Sequence, residues 1–343
     1  RTAIRRGFGS RRGVSAPFEL TFFPPDTSAV PDLAGLQLVV LDPALGREEQ
    51  IAFVDAALRD RGTTPRQYKN ALLFALPGTT GQLYEGARRA LAWRTRADEA
   101  PTLELDEEQR RQLTEQTSRA EHDLQEAVWR AYHRLAFIGP EGERTEEDLG
   151  VLHSSAAESL VALYQARLRQ RDELTESLAA SRVVQGWPRA FDEWTTRAFR
   201  DAVYASPVFP RLARPEALRD TIARGVREGL FGYAVKRGDE YVQVTYKEDL
   251  GIDEVEFSDG VVLVSQSLAE QLKEAQPTPE TPVPVPQPTP PEPTPAGGSG
   301  TTPPMPLFTG EKVTAISWQG EVPAQKWTTF YTKVLSRLVA DGG

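Results

Sequence analysis

The chain has 343 residues, with 49 Asp and Glu against 40 Lys and Arg, a formal net charge of −9 and no cysteine. That balance argues against a protein that coats nucleic acid non-specifically, although it permits a local basic face. The lack of cysteine removes disulfides, thiol nucleophiles and Cys-ligated zinc and suits a reducing cytoplasm, the expected location; no apolar run approaches the ~20 residues of a membrane helix, so no membrane partner is expected.

A length of 343 predicts two or three domains at roughly 150 residues each. The chain opens on Arg1-Thr2-Ala3 without Met, and the expectation is a soluble piece of something larger. Its first hundred residues alternate strand-like and helix-like stretches. "FELTFFP" (18–24) alternates in part, and "LQLVVLDP" (36–43) reads as a buried strand. Ile51, Val54 and Leu58 follow at helical spacing, then a strand at 71–76 and a helix at 82–94. This is the pattern of an α/β sheet, with further strands expected upstream.

Between that strand and helix lies the turn Pro77-Gly78-Thr79-Thr80-Gly81. A strand, a glycine turn and a helix N-terminus form the geometry that holds phosphate, because free N–H groups and the helix dipole face the anion. A P-loop also needs Lys and Ser/Thr after its last glycine. Gln82 and Leu83 stand there instead, and these details decide against a phosphate role.

Residues 105–137 read as one long helix capped by Asp106 and Gln109, with a seam running from Leu113 through Ala131 to Leu135. An acidic loop, "EGERTEEDLG", leads to a second helix opened by Ser155 and Glu158. From 187 the texture changes: a helix over Phe191–Tyr204, a proline-bounded turn, a helix over Glu216–Leu230, then strands at 231–236 and 240–246 about Arg237-Gly238-Asp239. Helix, turn, helix, hairpin is the order of a winged helix. Short strands at 253–257 and 260–264 and a helix at 266–274 follow. Residues 276–306 hold 13 of the 27 prolines and predict an extended spacer, with a strand pair and a helix beyond it.

The stretches "PDLAGLQLVVLDP" (31–43), "RGTTPRQYKNALLFALPG" (61–78), "FPRLARPEALRDTIARGVREGLFGYA" (209–234) and "WQGEVPAQKWTTFYTKVLSRL" (318–338) resemble the C-terminal half of large bacterial ATPases. This is the family catalogued as domain of unknown function 499, many of whose members are encoded among phage-defence genes. Its most specific element here is the R-x-Y-K-N step of residues 66–70 before an apolar strand. The resemblance implies an upstream AAA-like P-loop domain that uses ATP and Mg; no cofactor is expected in the present residues. The implied fold is mixed α/β and α. It comprises a partial AAA-like α/β sheet segment (1–100), a long helical hairpin (101–186), a winged-helix-like module (187–275), a disordered Pro-rich linker (276–307) and the start of a small α+β piece (308–343).

Later strands of AAA-type ATPases supply residues that sense the terminal phosphate, which makes Arg66 and Asn70 candidate sensors. A carboxylate partner for Arg66 and a turn cap by Asn70 are the structural alternative. Arg5, Arg6, Arg11 and Arg12 read as solvated charge. His122, His133 and His153 share no metal-ligand spacing, so no metal is expected. Arg219, Arg224 and Arg227 on the second helix, with Lys236 and Arg237 at the hairpin tip, are candidates for duplex DNA phosphates, interleaved with acidic residues that bring the face near neutral. The leading expectation is a non-catalytic regulatory and scaffolding portion of a multidomain ATP-binding protein in anti-phage defence. Its partners would be its own upstream ATPase domain, a neighbouring subunit or other defence proteins; the alternative is a DNA-binding winged-helix module.

Overall fold

The computed structural model describes residues 1–9, 18–102, 104–214 and 216–275. All the described residues fall in the first of the chain's two units. The predicted Pro-rich linker, the strand pair and helix beyond it, and Arg11 and Arg12 lie outside the described residues.

The first unit opens with α1 (Thr2–Gly7), β1 (Glu19–Phe22), β2 (Gln37–Val40) and α2 (Arg47–Arg59). A two-residue ribbon, β3 (Asp60–Arg61) with β4 (Thr64–Pro65), leads into β5 (Leu72–Leu76). The long helices α3 (Gly81–Glu99) and α4 (Glu107–Ala131) precede β6 (Arg134–Ile138) and β7 (Arg144–Asp148). The five longer strands form one sheet in the order β1-β2-β5-β6-β7, the first three parallel and the last two antiparallel. Residues 38–41 and 72–76 read as unbroken apolar runs because both faces of β2 and β5 are covered. Leu38, Val40, Leu73, Ala75, Leu135 and Phe137 pack with Ile4, Phe8, the last turn of α4 and later helical residues. Val39, Leu41, Leu72, Phe74, Ala136 and Ile138 pack with Val54, Ala57 and Leu58 of α2.

This sheet corrects the predicted helical hairpin over 101–186. The Asp106–Gln109 capping box is present, at 2.8 and 3.1 Å, but α4 stops at Ala131. No Gly or Pro intervenes between Ala131 and Gly139, so helical spacing could be read on through Leu135. Packing ends the helix instead. Tyr132 is fully buried and its hydroxyl donates to the Leu41 carbonyl (2.8 Å), turning the chain into β6. The acidic loop is in part the edge strand β7, whose charged outer face suits an edge that must not pair further.

The chain continues with α5 (Leu160–Gln170), capped by Ser159 where Ser155 was expected, then β8 (Leu174–Thr175), α6 (Ala180–Gln185), β9 (Glu193–Thr195) and α7 (Thr196–Ala205). The helix predicted over Phe191–Tyr204 is therefore a short strand and a helix, with the Thr195 side chain capping α7. Next come β10 (Arg211–Leu212), α8 (Glu216–Arg227), β11 (Phe231–Arg237), β12 (Glu240–Thr245), β13 (Val261–Ser265) and α9 (Gln266–Ala275). The strand expected at 253–257 is a single 3₁₀ turn at Ile252–Glu254. A second, antiparallel sheet runs β12-β11-β13-β9. One of its faces packs Tyr233, Val261 and Leu263 against Phe199 and Val203 of α7 and Leu218, Ile222 and Val226 of α8. The other packs Ala234, Val262 and Val264 against α9 through Ala269.

Candidate functional site

The R-x-Y-K-N step forms a joint between the two sheets. Arg66 has a fully buried side chain. It donates to the carbonyls of Pro31 (2.6 Å), Val30 (3.2 Å) and Thr27 (3.3 Å) and lies 3.8 Å from an Asp32 oxygen. Burial lowers its pKa, opposed by the Asp32 charge. Asp32 in turn accepts the backbone N–H groups of Gln67 and Tyr68, both at 2.9 Å. Four residues on, Asn70 sends both amide hydrogens across to the second sheet's layer, to the carbonyls of Val203 (3.1 Å) and Phe209 (3.0 Å). Ala71 belongs to that layer's apolar core, with Tyr68 packed on its margin.

Arg211 makes a second tie. It is 4% exposed, lies over the Phe137 ring at 4.5 Å, and donates to Glu173 (2.7 Å) and to the Ile138 carbonyl (2.5 Å). Burial lowers its pKa while Glu173 holds the charge in place. The two predicted phosphate sensors thus meet at this joint, with the terminal nitrogens of Arg66 and the amide nitrogen of Asn70 given to backbone carbonyls. A phosphate contact from Arg66 would require residues 27–32 to move. Asp32 and Arg211 carry no sequence signal as members, because their partners are brought near only by the fold.

The basic residues of the helix–turn–helix–hairpin segment are less available than their spacing suggested. Arg224 donates to the Leu178 carbonyl (3.1 Å), and Arg219 lies 5.9 Å from the centre of the Phe257 ring. Lys236 is gripped by both oxygens of Glu193, each at 2.9 Å. That bond holds the Glu193 carboxyl below its ordinary range, and burial together with Glu193 pushes the neighbouring Tyr241 up to about 12. Arg227 stays largely exposed, 4.0 Å from Asp249, and Arg237 is exposed at the hairpin tip. Two of the five cations therefore remain exposed, Arg227 beside Asp249.

A crevice of 450 Å³ opens at the carboxyl ends of β2 and β5, lined by the turns 43–47 and 77–81 with Gln50, Tyr84 and Arg134. The two turns diverge because α2 packs on one face of the sheet while Leu83 of α3 joins the core on the other. Parallel strands whose following helices part in this way leave a gap between their loops. His133 borders the same turn: a Cβ on Gly78 would fall 2.2 Å from its Nε2, and its Nδ1 lies 2.8 Å from Asp148. That hydrogen bond, with the Gly150 N–H, lowers the Asp148 pKa.

His153 lies 3.5 Å from Glu126, apart from His133 and Asp148. Among the described residues no group of three His, Asp or Glu could hold a metal, and no helix is long and apolar enough to cross a membrane. No protein-family model, no curated protein and no solved structure matches the chain.

Proposed function

We propose that this chain is the regulatory and scaffolding portion, not itself catalytic, of a multidomain ATP-binding protein acting in anti-phage defence. The observation that carries the reading is the joint at 66–71. Its most specific sequence step gives the Arg66 and Asn70 side-chain donors to backbone carbonyls and the Gln67 and Tyr68 amides to Asp32, fixing the second sheet's helical layer to the α/β sheet. A unit tied in this way moves with the sheet, as a part that positions an ATPase domain against a neighbouring subunit or partner must. The defence setting and the ATP-using partner domain rest on the resemblance of residues 31–43, 61–78, 209–234 and 318–338 alone.

A second reading, duplex DNA binding by a winged-helix-like module, is favoured by the order α7, turn, α8, hairpin and by exposed Arg227 and Arg237. It is weakened by the engagement of Arg224 and Lys236. Incubation of the purified chain with ATP and Mg, and separately with duplex DNA over a salt series, separates the readings. Scaffolding predicts no ATP hydrolysis, and DNA affinity that is weak and nearly flat with salt. Magnesium-dependent hydrolysis would contradict it. A log–log salt slope of about −4 or steeper, the mark of several phosphate contacts, would favour the DNA reading.

A further inference from the structure

We propose that the groove between α1 and α3 docks an amphipathic helix of a partner protein, apolar on one side and acidic on its flanks. None of the lining residues belongs to the joint at 66–71, and the inference does not depend on the scaffolding role.

The groove follows from how three helices meet. Helix α1 packs on α4: Gln125 Nε2 donates to the Ala3 carbonyl (3.1 Å), and a Cβ on Gly7 would fall 2.9 Å from Val128 Cγ1, so the two lie close. Helix α3 packs on α4 through Gly86 against Leu124. The two stand as walls over α4, and a groove of 230 Å³ runs between them. Ile4 and Leu83 are buried at its base. The apolar lining continues onto the surface, where Tyr84 is 41% and Leu91 62% exposed, two turns apart on one side of α3. Among the described residues, α3 is the only helix with two large apolar side chains this exposed. A stripe of that spacing ordinarily faces a core, and an apolar patch left open with a polar rim marks an interaction site.

Charge selects the occupant. Arg1, Arg6 and Arg94 line the groove against a single carboxylate, Glu121, which pairs with Arg94. Asp42 pairs with Arg1 (2.9 Å) from outside the lining, and Asp98 stands one turn beyond Arg94. Those three carboxylates therefore answer Arg1 and Arg94. Arg6 on the α1 wall and Arg88, between Tyr84 and Leu91 on the α3 wall, are exposed and enter no ion pair with another described residue. Each wall thus carries one unanswered cation, on a chain whose net charge is −9. Complementary charge at such a rim steers and orients an acidic partner and repels a basic one.

Size and shape select a helix. A volume of 230 Å³ is below the roughly 300–1,000 Å³ of small-molecule sites, so it suits a few apolar side chains rather than a whole ligand. The α3 wall runs from Leu83 to Arg94, about 16 Å at the helical rise, which matches three turns of an occupant. Apolar residues of that occupant at i, i+3 or i+4, and i+7 would lie over Ile4, Tyr84 and Leu91. Its acidic flanks would then meet Arg6 on one side and Arg88 on the other.

The test is fluorescence anisotropy of labelled, stapled helices of about 12 residues titrated with the full chain at low salt. One helix carries leucine on one face and glutamate on its flanks, a second has lysine for the glutamate, and a third has alanine for the leucine. The leucine–glutamate helix should bind with a Kd of about 100 μM or tighter, and the other two about tenfold more weakly. Leu91→Gln should weaken it about tenfold through lost apolar burial, and Arg6→Gln with Arg88→Gln about fivefold. Val151→Gln, at an exposed apolar position outside the groove, should change nothing. Every substituted side chain is exposed, so the variants keep the fold. Hydrogen exchange of the unmodified chain should slow in α1 and over 83–94 when the leucine–glutamate helix is added. Equal binding of the glutamate and lysine helices, no binding by about 1 mM, or an unaltered Kd in Leu91→Gln would overturn the assignment. So would a concentration-dependent dimer of the chain alone that Leu91→Gln disperses, since a second copy would then occupy the groove.

Discussion

Asn70 is 2% exposed, and its amide nitrogen bridges carbonyls more than 130 residues away in sequence, at Val203 and Phe209. Replacing it with alanine leaves both acceptors buried and unpaired, at about 1–3 kcal/mol for such groups. Asn70→Ala is therefore expected to destabilise the protein by about 2 kcal/mol in urea-induced unfolding, whereas Lys69→Ala one residue earlier, on a more open side chain, should change little. A variant as stable as the parent would mean that the bridge is not made in solution. At this scale the sequence was partly legible. The R-x-Y-K-N step stood out, and a carboxylate partner for Arg66 was one of the two roles weighed for it. The carbonyl partners were hidden, because a backbone acceptor has no side-chain signature, and neither Asp32 nor Phe209 advertises what it will meet.

Helices α3 and α4 pack antiparallel along a seam of small residues, where Gly86 faces the Leu124 backbone. A Cβ added at Gly86 would sit 3.5 Å from Leu124 Cα, an ordinary contact, so alanine fits and removes the entropic cost of a helical glycine. Gly225 in α8 is the opposite case. A Cβ there would fall 2.1 Å from Cζ of Phe231, which is fully buried and has nowhere to go. Gly86→Ala is expected to raise stability by about 0.5–1 kcal/mol, and Gly225→Ala to lower it by about 1–3 kcal/mol. Thermal unfolding of the pair checks both signs, and equal shifts would contradict the packing described. Most elements could be read from periodicity: β2, α2, β5, α8 and the β11–β12 hairpin fall close to where the pattern puts them. The misses share a cause. Strand β6 continues the residue spacing of α4 without a breaker, β7 is an edge strand with the composition of a loop, and β9 is only three residues long. In each, tertiary pairing rather than local preference chose the conformation.

For the whole molecule, the sequence divided residues 1–275 into three modules, but strands β6 and β7 from the second complete the sheet of the first. The third module shares the joint at 66–71 and the Arg211 tie with that sheet. Neither link is visible in composition, since one strand edge and a few buried polar groups decide it. The joint at 66–71 and the Arg211 tie are expected to make the two sheets one cooperative body. Hydrogen exchange under increasing urea tests it most directly, by comparing amides of β5 (72–76) with those of β11 and β13 (231–237 and 261–265). One body predicts that all three segments open with the same free energy and the same urea dependence. Opening of β11 and β13 at lower urea while β5 stays protected would show two independently folding parts and rule out a single cooperative body.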